Sequence, residues 1–221
     1  MKIFLDTASI ESIKKYNDMG LVDGITTNPT LLSREKGNPA EIMREIVRIV
    51  QGPVSLEVVA TTAAEMLEEA HRLKKYGKNV VVKIPMIPDG LVAVRKLKAE
   101  GIETNVTLCF SANQAILAAK AGAAYVSPFI GRLDDAGQDG MSLIREVVQI
   151  FKNYQFDTNV LVASIRHPLH VVEAGKIGAQ VVTLPPEILG KMMSHPLTDK
   201  GLSSFLGDWE KVKKDNPGLK L

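Results

Sequence analysis

The feature that most constrains this chain is a regular alternation of short apolar segments with longer amphipathic stretches. The apolar segments are rich in β-branched residues, which suit buried strands, and the stretches between them have the pattern of helices. Such alternation predicts an α/β fold with a mainly parallel sheet. Eight segments are predicted to be strands: 2–6, 24–27, 54–59, 79–84, 103–107, 125–129, 160–164 and 180–184.

Eight strand–helix units in 221 residues fit a single (β/α)8 TIM barrel near the lower end of its usual size. We expect one domain over 1–221 with an extra C-terminal helix at 197–214. That helix carries an apolar stripe, so it would pack on the barrel or on a neighbouring subunit; the stripe is Leu202, Phe205, Leu206 and Trp209. A doubly wound sheet is the rival fold, but no strand leads into the glycine-rich turn typical of it.

Several helix ends are marked in the sequence. Asn38 before Pro39 is typical of a helix start, and Thr62 with Glu65 has the pattern of a capping box. Glycines are expected to end the helices that follow four of the strands, because glycine readily adopts the left-handed conformation of a helix C-terminus. These glycines are Gly77, Gly101, Gly122 and Gly178.

Bulk composition excludes several classes of partner. A net charge of +2 with acids and bases interspersed argues against nucleic acid or an anionic membrane as the main partner. No segment reaches the ~18 apolar residues of a membrane span, and the first residues are too short an apolar run for a signal peptide. Cys109 is the only cysteine, which suits a reducing compartment. We therefore expect a cytoplasmic protein.

Polar residues gather at the predicted carboxyl ends of the strands, where (β/α)8 barrels place their chemistry. Each residue alone has a structural explanation: Asp6 as a cap, Asn28 as part of a turn before Pro29, and Glu57 with Lys83 as an ion pair. Together they favour a functional site. The set comprises Asp6, Thr26, Thr27, Asn28, Glu57, Lys83, Asn105, Thr107, Ser127, Arg132, Ser164, Arg166 and Thr183.

Lys83 is the most informative of these residues because it follows three valines in the segment NVVVKIPM (79–86). Burying an ammonium is costly, since desolvation disfavours the charged form. A neutral amine attacks a ketone to form a Schiff base, and the resulting iminium withdraws electrons so that a carbon–carbon bond can break. We therefore hypothesise that Lys83 is a Schiff-base nucleophile.

Seven segments in order along the whole chain closely resemble the transaldolase family, in particular its short members, whose nearest relatives are the fructose-6-phosphate aldolases. The resemblance is specific because so many separate motifs match. The segments are FLDTAS (4–9), GITTNPTLL (24–32), VSLEV (54–58), VVVKIPM (80–86), NVTLCFSANQA (105–115), YVSPFIGRLDD (125–135) and VLVASIRHP (160–168).

The resemblance implies transfer of a dihydroxyacetone unit between sugar phosphates, without metal or cofactor, in the non-oxidative pentose phosphate pathway. Sedoheptulose 7-phosphate and glyceraldehyde 3-phosphate would give erythrose 4-phosphate and fructose 6-phosphate. Lys83 matches the Schiff-base lysine and Asp6 the acid/base at bond cleavage. Glu57 and Thr107 match the pair that handles water.

The remaining matches concern substrate binding and assembly. Positions that bind the dihydroxyacetone unit correspond to Thr26, Asn28, Asn105, Ser127 and Phe129, and the phosphate site corresponds to Arg132, Ser164 and Arg166. Arginine suits phosphate because its planar fork binds two oxygens at once. Short members form pentameric rings or decamers through the C-terminal helix, so a homo-oligomer is expected.

Two positions favour transaldolase over aldolase. The aldolases carry glutamine at the position of Glu57 and tyrosine at that of Phe129. A tyrosine hydroxyl can direct water to the enamine and release free dihydroxyacetone, which phenylalanine cannot do. The alternatives are fructose-6-phosphate aldolase and a barrel that binds sugar phosphates without turnover.

Three other signals are given no catalytic role. His167 and His170 would need further ligands to hold a metal, so no metal site is predicted. The acidic cluster at 134–139 is interpreted as a solvated loop, and Cys109 as a small buried residue.

Overall fold

The computed structural model describes residues 1–219. Within them, eight parallel strands form a closed barrel in chain order, with β8 pairing back onto β1. The α/β class and the (β/α)8 barrel are therefore confirmed, and the strand bounds differ from the predicted ones by one or two residues. The strands are β1 Lys2–Asp6, β2 Gly24–Thr26, β3 Val54–Glu57, β4 Val80–Pro85, β5 Thr104–Cys109, β6 Tyr125–Pro128, β7 Asn159–Val162 and β8 Val181–Leu184.

Helices connect the strands, and two of them, α2 and α7, are additional to the predicted eight strand–helix units and C-terminal helix. The helices of residues 1–219 are α1 Ile10–Asp18, α2 Pro29–Leu32, α3 Pro39–Ile49, α4 Ala63–Lys74, α5 Pro88–Ala99, α6 Ala112–Ala121, α7 Ile130–Asp135, α8 Gly140–Tyr154, α9 Pro168–Ile177, α10 Pro186–Met193 and α11 Pro196–Asp215.

Most of the predicted helix ends are found. The side chains of Asn38 and Thr62 accept backbone N–H bonds at the starts of α3 and α4. Gly122 and Gly178 end α6 and α9 in the left-handed conformation. Gly77 was wrongly expected to end α4, which stops at Lys74. A Cβ at Gly77 would lie 2.5 Å from a Val47 methyl group, so this glycine permits close packing instead.

The apolar core has two parts. The larger part lies between the strands and the helices. The smaller part has the alternate, inward-facing residues of the strands and fills the amino-terminal half of the barrel; it includes Phe4, Val81, Tyr125, Leu161 and Val181. We call this second cluster the apolar plug. Because the plug fills the barrel below, the polar residues at the carboxyl ends of the strands face a cavity open on one side only.

The C-terminal helix α11 leaves its apolar residues uncovered in the single chain. Phe205 is 74 % exposed, and Leu197, Leu202 and Leu206 are more than half exposed. The helix itself confirms the expected element, with one more residue at each end. What it packs against stays a prediction.

Candidate active site

A cavity of about 510 Å³ opens at the carboxyl ends of the strands. Its lining includes every residue predicted for the site except Thr27 and Asn105, which are both fully buried. The residues that the cavity brings together are Asp6, Thr26, Asn28, Glu57, Lys83, Thr107, Ser127, Phe129, Arg132, Ser164 and Arg166.

Lys83 lies near the end of β4 and is only 4 % exposed. Its Nζ donates a hydrogen bond of 3.0 Å to the Thr27 carbonyl and lies 3.1 Å from Glu57 Oε2. Glu57 and Lys83 are direct partners in the β3–β4 register, so the pairing of the strands fixes the ion pair. The carboxylate is therefore placed to accept a proton from the amine.

Asp6 ends β1 and shares the cavity with Lys83. Thr26 Oγ1 donates to Asp6 Oδ1 over 2.8 Å and lies 2.7 Å from Thr183 Oγ1. Burial raises the pKa of Asp6, an effect opposed by the charge of Lys83 and by the Thr26 hydrogen bond. A carboxylate with a raised pKa is a stronger base than an ordinary aspartate and takes up a proton more readily, which suits a general acid/base.

Thr107 offers the cavity a hydroxyl group that is not engaged by the protein. Among residues 1–219, its buried Oγ1 has no hydrogen-bond partner, which normally costs free energy unless water or a ligand bonds to it. Leu108 follows with a φ of +58°, and the β5–β6 register shifts between Val106 and Cys109. Bulges of this kind redirect side chains and are common beside active sites. The irregular backbone here lies directly at the cavity, where Thr107 and Leu108 contribute to the lining.

Below the cavity floor, Asn105 joins two serines. Ser127 Oγ donates to Asn105 Oδ1 over 2.7 Å, and Asn105 Nδ2 donates to Ser55 Oγ over 3.2 Å. All three residues are buried. The network fixes the orientation of the Ser127 hydroxyl, which lines the cavity.

Two arginines stand at one side of the cavity mouth. The Arg132 guanidinium, on α7, lies 5.0 Å from the centre of the Phe129 ring, and Arg166 Nη2 lies 2.6 Å from Asp135 Oδ2. Gly131 permits this arrangement, because a Cβ there would lie 2.1 Å from the Ser164 carbonyl oxygen and 2.6 Å from Arg166 Nε. The absence of a side chain thus brings α7 against the loop that carries Arg166.

The structure also corrects and extends the sequence interpretation. The acidic cluster is not a simple solvated loop: Asp134 and Asp135 belong to α7, and Asp139 caps α8. Arg34 lines the cavity but was not selected, because its sequence position after α2 gave no sign that it faces the site.

Cys109 is buried, as predicted, and burial raises the pKa of its thiol to about 11. Residues 1–219 contain no cluster of three or more His, Cys, Asp or Glu side chains of the kind that could hold a metal ion. In the same part of the chain, no helix is both long and apolar enough to cross a bilayer.

The fold and the cavity define a class of protein: a (β/α)8-barrel enzyme that handles small polar substrates with lysine and carboxylate groups at the carboxyl ends of its strands. Residues 3–216 match the family described as Transaldolase/Fructose-6-phosphate aldolase. The chain belongs to this family.

Named relatives agree with this assignment over nearly their whole length. A probable transaldolase of Nitrosopumilus maritimus is 66 % identical over 222 residues, covering 100 % of both chains. One from Methanococcus maripaludis is 59 % identical over 95 % of this chain and 98 % of its own. One from Moorella thermoacetica is 58 % identical over 96 % and 99 % respectively.

Proposed function

We propose that this enzyme is a transaldolase that moves a dihydroxyacetone unit from a ketose phosphate to an aldose phosphate through a Schiff base on Lys83. The observation that supports this most is the buried Lys83 amine, 3.1 Å from Glu57, in a cavity whose mouth carries Arg132 and Arg166. The names of the relatives support the same activity. The cytoplasm and the non-oxidative pentose phosphate pathway are the setting we propose for it.

The first half of the reaction forms the Schiff base. Glu57 accepts a proton from the Lys83 ammonium, and the neutral amine attacks the ketone carbon of the donor. Glu57 and the free hydroxyl of Thr107 then move the protons by which the carbinolamine loses water. The product is a protonated Schiff base, which withdraws electrons from the neighbouring carbon–carbon bond.

The second half breaks and remakes that bond. Asp6 takes the proton from the hydroxyl next to the breaking bond, the aldose phosphate departs, and the bonding electrons remain on Lys83 as an enamine. An acceptor aldehyde then binds, the enamine carbon attacks it, and Asp6 returns its proton to the new alkoxide. The raised pKa of Asp6 suits this exchange in both directions.

The other polar groups hold the substrate. Thr26, Asn28, Asn105 and Ser127 are proposed to bind the hydroxyls of the dihydroxyacetone unit at the bottom of the cavity, with Asn105 acting largely through its bond to Ser127. The phosphate is proposed to bind at the mouth between two guanidinium groups and a hydroxyl, those of Arg132, Arg166 and Ser164. Arg166 would exchange its contact with Asp135 for the phosphate.

A coupled assay tests the proposed function. Glyceraldehyde 3-phosphate formation from fructose 6-phosphate is measured with and without erythrose 4-phosphate. Sustained product only with the acceptor is expected. Equal product without it would mean an aldolase, and no product under either condition would favour a barrel that binds sugar phosphates without turnover.

Phe129 is expected to keep the enamine from being protonated. Its ring lines the cavity and supplies no hydroxyl to direct water. The Phe129→Tyr variant should therefore cleave fructose 6-phosphate without an acceptor roughly 10- to 100-fold faster than the wild type, toward the lower end of what a positioned proton donor contributes.

The matched control is Phe110→Tyr. Phe110 packs edge-on against Phe129 with ring centres 5.9 Å apart, but it is not among the residues that line the cavity. An equal gain of aldolase activity from this control would contradict a specific role for Phe129.

The exposed face of α11 supports a homo-oligomer, which we propose to be a pentameric ring or a decamer. A chain of 24.0 kDa should therefore give a light-scattering mass five or ten times as large. Phe205→Asp should shift this mass toward the single chain, because a charge would be buried in the interface. Ser203→Asp, on the same helix, is the control, and a wild type of single-chain mass would contradict the proposal.

A further inference from the structure

His170, in the first turn of α9, is buried and has both ring nitrogens engaged. Its Nδ1 accepts a hydrogen bond of 3.3 Å from the backbone N–H of Arg166. Its Nε2 lies 3.3 Å from Asp134 Oδ2. Since Nδ1 accepts, the ring proton of a neutral imidazole is assigned to Nε2, the nitrogen that faces the Asp134 carboxylate.

These two contacts connect the two segments that carry the cavity arginines. Arg166 itself lies in the loop between β7 and α9, and Asp134 lies on α7 two residues after Arg132. Asp134 also accepts the N–H of Gly140 through Oδ1 over 2.9 Å, which fixes its carboxylate. His170 is therefore held between a fixed carboxylate on one segment and the backbone of the other.

We propose that His170 is a positioning residue that sets the separation and direction of the Arg132 and Arg166 guanidinium groups so that both face one phosphate. The inference rests on the proposed phosphate site and adds to it a residue that lies outside the cavity. Phosphate binding by two separate cations depends on their spacing, and displacements of about 1 Å can cost enzymes roughly 100-fold.

The charges around His170 agree with this role. Asp134 faces it from α7, Glu173 from α9, and Arg166 with His167 from the preceding loop. Burial lowers the pKa of His170, with His167 adding to the effect and Asp134 opposing it. The imidazole therefore stays neutral to lower pH than an ordinary histidine, and a neutral ring is what the bond from Arg166 requires.

Two substitutions separate the two contacts of His170. His170→Asn keeps an oxygen near the position of Nδ1, so it can still accept from Arg166, but it does not reach Asp134. His170→Gln keeps a donor near the position of Nε2 and loses the acceptor. Asp134→Asn weakens the contact between Asp134 and His170. Because the Asp134 side chain is more exposed than that of His170, this variant still provides a test if the His170 variants fold poorly.

The test measures the dissociation constant of inorganic phosphate by calorimetry, and KM and kcat with glyceraldehyde 3-phosphate and with glyceraldehyde as acceptors. We expect each variant to bind phosphate roughly 10-fold more weakly and to raise KM for the phosphorylated acceptor by a similar factor. The kcat/KM for glyceraldehyde should change less than about twofold, because the half-reaction with this acceptor involves no phosphate, whereas the half-reaction with the donor affects both acceptors alike. His71→Asn is the control, because His71 also pairs with a carboxylate, Glu100 Oε2 at 2.6 Å, but is exposed on α4.

The outcomes distinguish this inference from the proposed function. Unchanged phosphate affinity in the variants would overturn the positioning role and leave the transaldolase proposal standing. Equal losses with both acceptors would also overturn it, because they would indicate general damage. A wild-type protein that neither binds phosphate nor prefers the phosphorylated acceptor would refute the phosphate site, and the inference would fail with it.

Discussion

Replacing Lys83 with methionine should lower turnover of ketose phosphates by roughly 10⁵-fold, since removal of a covalent nucleophile costs enzymes several orders of magnitude. Methionine is close to lysine in length and suits a buried position, so the barrel should still form. The loss should appear in kcat, because the residues proposed to bind the sugar hydroxyls and the phosphate are unchanged. Steady-state rates with fructose 6-phosphate and erythrose 4-phosphate provide the measurement.

Chemical trapping makes this prediction specific to Lys83. Borohydride added with fructose 6-phosphate should reduce the Schiff base and leave a dihydroxyacetone-derived mass on the peptide that contains Lys83. Lys96→Met, on the outer helix α5, is the control and should behave as the wild type in both experiments. Turnover by Lys83→Met at the wild-type rate, or trapping at another lysine, would show the mechanism to be wrong.

Asp6→Asn should have the second largest effect, with opposite consequences for activity and stability. An amide cannot exchange the hydroxyl proton, so kcat should fall by roughly 10²- to 10⁴-fold. The same variant should be more stable at pH 7, with a melting temperature higher by about 2–4 °C, the shift that ~1 kcal/mol produces in a domain of this size.

The sign of the stability change follows from the pKa of Asp6. Burial raises this pKa in the folded protein above the ordinary value of 3.8, so the folded state binds more protons than the unfolded state between the two values. Stability therefore falls as pH rises through this window, and the full cost remains at pH 7. Below pH 3.8 the carboxyl group is protonated in both states, and the advantage of Asp6→Asn should vanish.

Melting temperatures measured from pH 3 to pH 8 test this prediction. Asp18→Asn is the control, because Asp18 is exposed at the end of α1 and should show no such pH dependence. A melting temperature for Asp6→Asn below that of the wild type at pH 7 would mean that the bond from Thr26 and the charge of Lys83 outweigh desolvation.

The barrel could be predicted from the sequence because short apolar segments typical of buried strands alternate with longer stretches that have the apolar periodicity of helices. The two helices that were missed are too short to show a helical period. α2 spans only Pro29–Leu32. α7 spans only Ile130–Asp135 and has no side-chain cap, since Phe129 stands at its N-terminus.

The candidate site was predictable for a related reason. Strand ends in a parallel barrel meet at one face, so residues far apart in sequence, such as Asp6 and Lys83, could be placed in one cavity. Contacts among the outer helices have no such rule. The contacts of His170 with Asp134 and with the Arg166 backbone depend on where α7 lies relative to α9, which no local pattern specifies.

The apolar plug has a kinetic consequence. Because the plug lies below Lys83, the donor, the departing aldose and the incoming acceptor of the proposed reaction would all use the same opening above Lys83. In that reaction the acceptor binds where the first aldose was, so it can occupy its place only after that aldose has gone. The first product therefore leaves before the second substrate binds. Double-reciprocal plots at several acceptor concentrations should accordingly give parallel lines.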